Sequence, residues 1–206
     1  MDIPVPSLAS RRACALAAAL AMLASLTVVT ASASARPSSP APLDAAREVL
    51  ALSNARLELM DEVMASKWFS RSPIEDPVQE TSVKDTAAAE AAALGVAAAG
   101  TRAVFAAQIE AAKEVQLGWG SHWLYYGAPA GMAAPELGQL RSQLSEISKQ
   151  IVAVLPRLIP LSKLPDARNR VSIAAARFLR VRYLGSAGRA AIVDSLLTLR
   201  RASNSA

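Results

Sequence analysis

The chain has 206 residues, 52% of them hydrophobic, 19% charged and 4% aromatic, and a formal net charge of +5. That is enough for one helical domain with a genuine core. Its only cysteine is Cys14 and its only histidine is His122, which excludes a zinc site built on those residues and argues against a Ser-His-Asp or Cys-His nucleophile.

Arg11 and Arg12 precede an apolar run from Ala13 to about Val29, followed by Ala31-Ser32-Ala33-Ser34-Ala35. A positive segment, a short apolar segment and small-x-small cleavage candidates predict a secretory signal peptide over residues 1–35. The run is short and rich in alanine, which argues against a retained membrane anchor. Cys14 lies at the very start of this segment rather than after it, so a lipoprotein anchor is not expected either. The mature chain would carry no cysteine and lie in the periplasm or outside the cell, and residues 36–42 read as a flexible Pro/Ser leader.

A first helix is expected from Leu43 to Trp68. Val49, Leu52, Leu59/Met60 and Val63 recur at helical spacing along one face, and Arg56 and Lys67 fall on that same face. The eleven residues between them amount to about three turns with roughly 20° of drift. Burying an unpaired cation costs several kcal/mol or more, so two readings follow. Either both cations pair with carboxylates such as Glu58, Glu62 or Asp76 or snorkel to water along their stems, or they line a pocket for something anionic.

Ser72-Pro73-Ile74-Glu75 reads as a capping box that starts a second helix running to about Leu94. On it Asp76 and Glu80 share a face, with Gln79 beside them. Gly95 to Gly100 is a turn, and a third helix spans Arg102 to about Leu124. There Gln108, Ala112 and Gln116 align next to Phe105 and Ile109, and His122 is expected to pack at the helix end or lie on the surface. After a loop over Gly127–Ala134, Pro135 opens a fourth helix with the stripe Leu137, Leu140, Leu144, Ile147, Ile151 and Val154/Leu155, bordered by Arg141.

Pro156, Pro160 and Pro165 break the chain, and two shorter helices follow near 166–184 and 189–201. From Arg141 onward twelve Lys/Arg face three acids. This basic tail reads as a solvated face rather than a nucleic-acid site, because the mature chain is expected to be exported. The expected architecture is all-α: a single domain of about six helices enclosing a site, with a core over 43–155 and a basic extension over 156–206 packed on it.

Taken together, the misplaced polar residues describe one cavity between helices with three cations, two amides and two carboxylates. No strand precedes a Gly-rich phosphate loop. No metal or cofactor is implied, so an enzyme built on this cavity would work by electrostatic stabilisation and positioning.

Arg56, Lys67-Trp68 and Pro73-Ile74-Glu75-Asp76-x-x-Gln79-Glu80 resemble the first two helices of an all-helical chorismate mutase. Phe105-x-x-Gln108-Ile109-Glu110-Ala111-Ala112-Lys113-x-x-Gln116, with Trp123 seven residues on, resembles its third helix, and Leu140-Arg141-Ser142-Gln143-Leu144 its fourth. The signal peptide and basic tail resemble the exported gamma subclass, in which one chain supplies the whole site. The motifs lie within residues 43–155.

The resemblance implies isomerisation of chorismate to prephenate by a Claisen rearrangement, without covalent intermediate, metal or cofactor. It implies catalytic roles for Lys67 and Gln116 at the ether oxygen and for Glu80. Arg56 and Arg141 would bind carboxylates, and Asp76, Gln79 and Ala112 would complete the substrate site. The partner implied is chorismate, with a possible homodimer, no nucleic acid and no stable membrane anchor after cleavage. Gln79 stands where the family usually has arginine, and Ala112 where it often has Ser or Thr. Lys84, one turn beyond Glu80, is a candidate to compensate for the first. The alternatives are a weakened or silent relative that binds an anion or a protein, and a structural helical protein whose tail meets an anionic surface.

Overall fold

The computed structural model describes residues 41–203. The expected signal peptide 1–35, Cys14 with it, and leader residues 36–40 lie outside the described residues. The helices are α1 (Ala41–Glu58), α2 (Met60–Ser70), α3 (Pro77–Ala93), α4 (Ala98–Tyr126), α5 (Leu137–Leu158), a 3-10 helix (Ile159–Lys163), α6 (Ala167–Phe178) and α7 (Ser186–Leu196). The fold is all-α; the only β-pairing among the described residues is one antiparallel bridge between Val96 and Arg201.

Several boundaries differ from expectation. Ala41 and Pro42 are not leader but the first residues of α1, where a proline costs no hydrogen bond. The expected first helix is two. Leu59, with ψ flattened to −5°, separates α1 from α2, because α1 packs on α5 and α6 whereas α2 packs on α4.

Ser72 does not cap the second helix. Its hydroxyl pairs with that of Ser70 at the end of α2, and Arg71 closes α2 in the left-handed region at φ 55°. The cap is Asp76, whose carboxylate accepts the Gln79 backbone N–H at 3.1 Å with Pro77 at the first helical position. Pro77, not Pro73, therefore begins the helix. Both ends of α4 lie outside the expected 102–124 span.

Pro156 does not break the fourth helix. It sits in the last turn of α5, where Leu155 and Leu158 are fully buried and their packing outweighs the lost hydrogen bond. The division expected at 155/156 thus falls inside α5. The last two helices are shorter than expected. Between them Tyr183 adopts φ 68° and Gly185 caps α7, so residues 179–185 form a connection rather than helix.

One hydrophobic cluster joins Leu50, Phe105, Leu140 and Ile151 to Val171, Leu179, Ile192 and Leu199 from the C-terminal part. Each such side chain contributes about 1.5–3 kcal/mol when fully buried. Alanines 87, 88 and 91 are the buried face of α3 and bring it close to α4.

The C-terminal part is fastened to the same α4. The Gly185 N–H donates to Glu114 Oε1 at 2.8 Å, and the Ala97 and Ala202 N–H groups donate to Arg200 O and Gly95 O at 2.9 Å each. Several of the tail's cations serve internally. Arg168 pairs with Asp194, Arg157 with Glu48, Arg189 donates to Leu184 O, and Arg182 lies over the rings of Trp119 and Tyr183.

A Cβ on Gly118 would lie 2.3 Å from both Cβ and Cγ of Tyr183. Gly118→Ala should therefore destabilise the fold by about 1–3 kcal/mol, read as a lower thermal midpoint in circular dichroism. The same substitution in a Tyr183→Gly background, which removes both clashing atoms and suits the φ of 68° there, should cost clearly less. An unchanged midpoint in the single variant would mean that this contact does not hold the connection to α4.

Candidate active site

Three helix ends meet where the sequence puts its misplaced charges. Arg56 is in the last turn of α1 and Lys67 in the last turn of α2, where carbonyl ends favour cations. Asp76 sits at the N-cap of α3, where exposed N–H groups favour a carboxylate. The break at Leu59 is thus functional in its effect, because it gives Arg56 a helix C-terminus of its own. Helices α4 and α5 supply the remaining walls of a cavity of about 300 Å³, at the lower end of the range for small-molecule sites.

All eight residues singled out from the sequence line this one cavity. They are Arg56 and Lys67 from α1 and α2, Asp76, Gln79 and Glu80 from the start of α3, Ala112 and Gln116 from α4, and Arg141 from α5. Apolar surface from Val63, Val83, Ile109 and Leu144 separates them. Gln108 does not join them. It is buried one turn earlier on α4, with its Nε2 lacking a partner among the described residues. Lys84 does not reach the cavity either, so it offers no local substitute for an arginine at 79.

The pairing of charges decides between the two readings of the cationic stripe. Glu58 accepts from Asn54 rather than from Arg56, and Glu62 is exposed, accepting no cation. Asp76 takes Arg141, Nη2 to Oδ2 at 3.3 Å, and Glu80 takes Lys113 Nζ at 3.5 Å. Arg56 and Lys67 are left without a carboxylate within ion-pair distance among the described residues.

Arg56 is only 6% exposed, and its Nε and Nη1 have no hydrogen-bond partner among the described residues. Burial pushes its guanidinium down from the usual arginine range to about 10. Lys67 is half-buried and donates one proton to the Ile74 carbonyl at 2.6 Å, leaving two donors for the cavity. Burial also lowers its ammonium from the usual 10.5; Asp76 and Glu80 act against this shift and Arg141 adds to it.

Gln116 presents an amide from the opposite wall. Its Nε2 donates to Ala112 O at 3.2 Å and meets Met60 Sδ at 3.5 Å, while Oε1 is buried without a partner. Sulfur is a weak acceptor, so an anionic oxygen entering the cavity displaces it readily.

The wall behind Lys67 is stiffened by aromatic packing. Trp68 meets Trp123 edge to face with centroids 5.8 Å apart, and Trp123 lies against Trp119 at 5.9 Å. Trp123 therefore ties the end of α2 to α4. His122 packs near the end of α4 against Trp119 and Tyr126.

Sequence reasoning missed Lys113, which lines the cavity beside Ala112. A signal was present. Lys113 lies four residues after Ile109 and three before Gln116, on the same helix face as both.

Residues 44–117 match the family model described as chorismate mutase type II. A secreted chorismate mutase of Yersinia pestis is 35% identical over 101 residues, covering 49% of this chain and 54% of that protein. Its crystal structure superimposes with a TM-score of 0.67 at 27% identity, covering 75% of this chain and 98% of that one. A secreted chorismate mutase of Mycolicibacterium smegmatis is 30% identical over 113 residues, covering 55% of this chain and 62% of that protein. The crystal structure of chorismate mutase from Burkholderia thailandensis gives a TM-score of 0.64 at 32% identity, covering 74% of this chain and 96% of that one. By sequence alignment the chain spans between half and two thirds of the length of the curated relatives it matches.

The charge held at Arg56 should be visible as a stability penalty. A drop to about 10 corresponds to about 3 kcal/mol against the fold at neutral pH. The sign follows from proton uptake: above about 10 the unfolded chain still binds the proton that the folded chain gives up, so the penalty is full below about 10 and shed as pH rises beyond it. Arg56→Met should raise the thermal midpoint at pH 7 and abolish the rise that a small dicarboxylate induces in the wild type. A lower midpoint, or an undiminished ligand-induced rise, would contradict the assignment of Arg56 as the buried anion receptor.

Proposed function

Because the chain belongs to the type II chorismate mutase family, we propose that it isomerises chorismate to prephenate within the α1–α5 cavity. The observation that carries this reading is the pair of cations without carboxylate partners, Arg56 and Lys67, facing one enclosed space. Two surplus positive charges match a dianionic substrate, and neither needs to be released from an ion pair before the substrate binds.

In the rearrangement an ether C–O bond breaks as a C–C bond forms, within one molecule and with no proton, hydride or covalent bond passing to the protein. The protein's task is to hold the compact conformer and to meet negative charge growing on the ether oxygen. Arg56 binds one carboxylate at the closed end through its guanidinium. Arg141, half-exposed and already facing Asp76, binds the second at the open end, where its planar fork suits bidentate contact.

Lys67 directs its remaining protons at the ether oxygen. Gln116 donates to the same oxygen from α4 once the contact with Met60 Sδ gives way. Asp76 and Glu80 receive the substrate hydroxyl and keep Lys67 oriented. The low dielectric that depresses the Arg56 and Lys67 ionisations also strengthens each of these contacts in the transition state.

One chain supplies every lining residue named here, which supports the gamma-subclass reading. The word "secreted" in the names of two relatives, together with the Arg11-Arg12 and apolar segment, supports export. No helix among the described residues is long and apolar enough to cross a membrane.

Purified mature chain should consume chorismate, followed by loss of its absorbance, and Lys67→Ala should lower kcat about 10²–10³-fold with helical content intact. Folded wild-type protein without turnover above background would remove this function. A second expectation concerns pH. Lys67 must be an ammonium to donate, and its ionisation is lowered from 10.5 by burial. The kcat/KM profile should therefore fall on the alkaline side with a midpoint below 10.5, and Lys67→Arg should move that limb upward.

A further inference from the structure

Lys113 has no role in the scheme above, although it lines the same cavity wall as Ala112 and Gln116. Its side chain is only 16% exposed, and three carboxylates surround it. Glu110 Oε1 lies at 2.7 Å, Glu80 Oε2 at 3.5 Å and Glu75 Oε1 at 4.0 Å. These partners are not alike. Glu110 and Glu75 are 67% and 75% exposed, and Glu80 is 20% exposed. The contact with Glu110 is a surface pair three residues apart on α4, a kind worth a few tenths of a kcal/mol. The contact with Glu80 is the least exposed of the three and crosses from α4 to α3, so it ties two helices together where the Glu110 contact ties one turn to the next.

The other oxygen of Glu80 is also engaged. Oε1 accepts the Asp76 backbone N–H at 3.4 Å. Glu80 is thus held at both oxygens, one by the start of its own helix and one by Lys113. Gln79, the next residue on α3, is exposed and brings no charge to it. Lys113 is the cation within ion-pair distance of Glu80 among the described residues.

We infer that Lys113 is a positioning residue for the reaction: it holds Glu80 in the orientation from which Glu80 faces both Lys67 and the substrate. This rests on the proposed chorismate mutase activity. Without the α4 cation, Glu80 pivots towards solvent and Lys67 loses one of the two carboxylates that favour its charged form. The charged groups that line the cavity with Lys67 are Asp76, Glu80 and Glu90 from α3, Arg141 and Lys149 from α5, Lys113 from α4 and Arg56 from α1, with the Gln116 amide beside them. Asp76 and Glu80 favour the charged form of Lys67 and Arg141 opposes it. Lys113, in contact with Glu80, acts on Lys67 through that carboxylate.

The test compares wild type, Lys113→Met, Lys113→Arg, Glu110→Gln, Glu80→Gln and the double variant Glu80→Gln/Lys113→Met, with chorismate as substrate. Lys113→Met should lower kcat/KM roughly tenfold or more, with an unchanged thermal midpoint, and should move the alkaline limb of the pH profile to lower pH. Deleting a positive charge without moving Glu80 would leave that limb in place or raise it. Lys113→Arg should recover most of the rate, and Glu110→Gln should behave as wild type. In the Glu80→Gln background the Lys113 substitution should cost almost nothing, because its target is gone.

Wild-type turnover with an undiminished Lys113→Met variant, or equal losses in both Glu80 backgrounds, would overturn this inference while leaving the function in place. Wild type that neither converts chorismate nor binds it by calorimetry would overturn the function and this inference together.

Discussion

A guanidinium buried at the end of a helix, with two of its nitrogens unpartnered, is the constraint around which this molecule is arranged. Nothing in the fold requires a charge at position 56, since the surrounding stripe is apolar and a methionine would fill the space. The charge opposes folding, and the core has to offset it. Leu50, Leu57, Phe105 and Ile151, all fully buried, contribute several times the penalty between them. The molecule therefore carries a locally unfavourable group on a stable frame, a pattern expected where binding rather than folding selects the residue.

The frame solves a geometric problem as well. Cations are tolerated best at helix C-termini and carboxylates at N-termini, so a site needing both signs gains from bringing unlike ends together. Interrupting one long helix at Leu59 creates a second C-terminus close to the first. The 71–76 linker then returns the chain at once, so that α3 begins beside the end of α2. The Lys67 ammonium bonds the Ile74 carbonyl within that linker. One side chain thereby helps to shape the connection and still has protons free for the cavity.

Residue pattern revealed the walls better than the joints. Arg56, Lys67, Gln116 and Arg141 stood out because each breaks an apolar stripe, and stripe position is fixed by helical periodicity over many turns. The joints depend on balances of about one hydrogen bond. Ser72-Pro73 and Asp76-Pro77 both satisfy the rules for starting a helix, and the choice fell to Asp76 because Ser72 is occupied by Ser70. Pro156 obeyed tertiary packing rather than backbone preference, since Leu155 and Leu158 anchor the turn around it. The break at Leu59 has no local signal, and arises because α1 and α2 pack against different neighbours. Gln108 satisfied the same spacing rule as Gln116 yet stays in the core, which shows that a shared face fixes direction but not depth.

The C-terminal part acts on the site only at a distance. No described residue beyond Lys149 lines the cavity, but α4 is gripped from both sides. One side presents Ile109, Ala112, Lys113 and Gln116 to the cavity; the other presents Glu114 to the Gly185 N–H and the bare backbone of Gly118 to Tyr183. Because Glu114 and Gly118 are one turn apart, the grip resists both sliding and rotation of the helix. A rotation of α4 by one residue, about 100°, would carry Gln116 out of the cavity altogether, and much smaller shifts would change where its amide points. The extension thus acts as a clamp on α4, and several of its arginines brace it: Arg182 on Trp119 and Tyr183, Arg189 on Leu184 O, and Arg168 on Asp194 between α6 and α7.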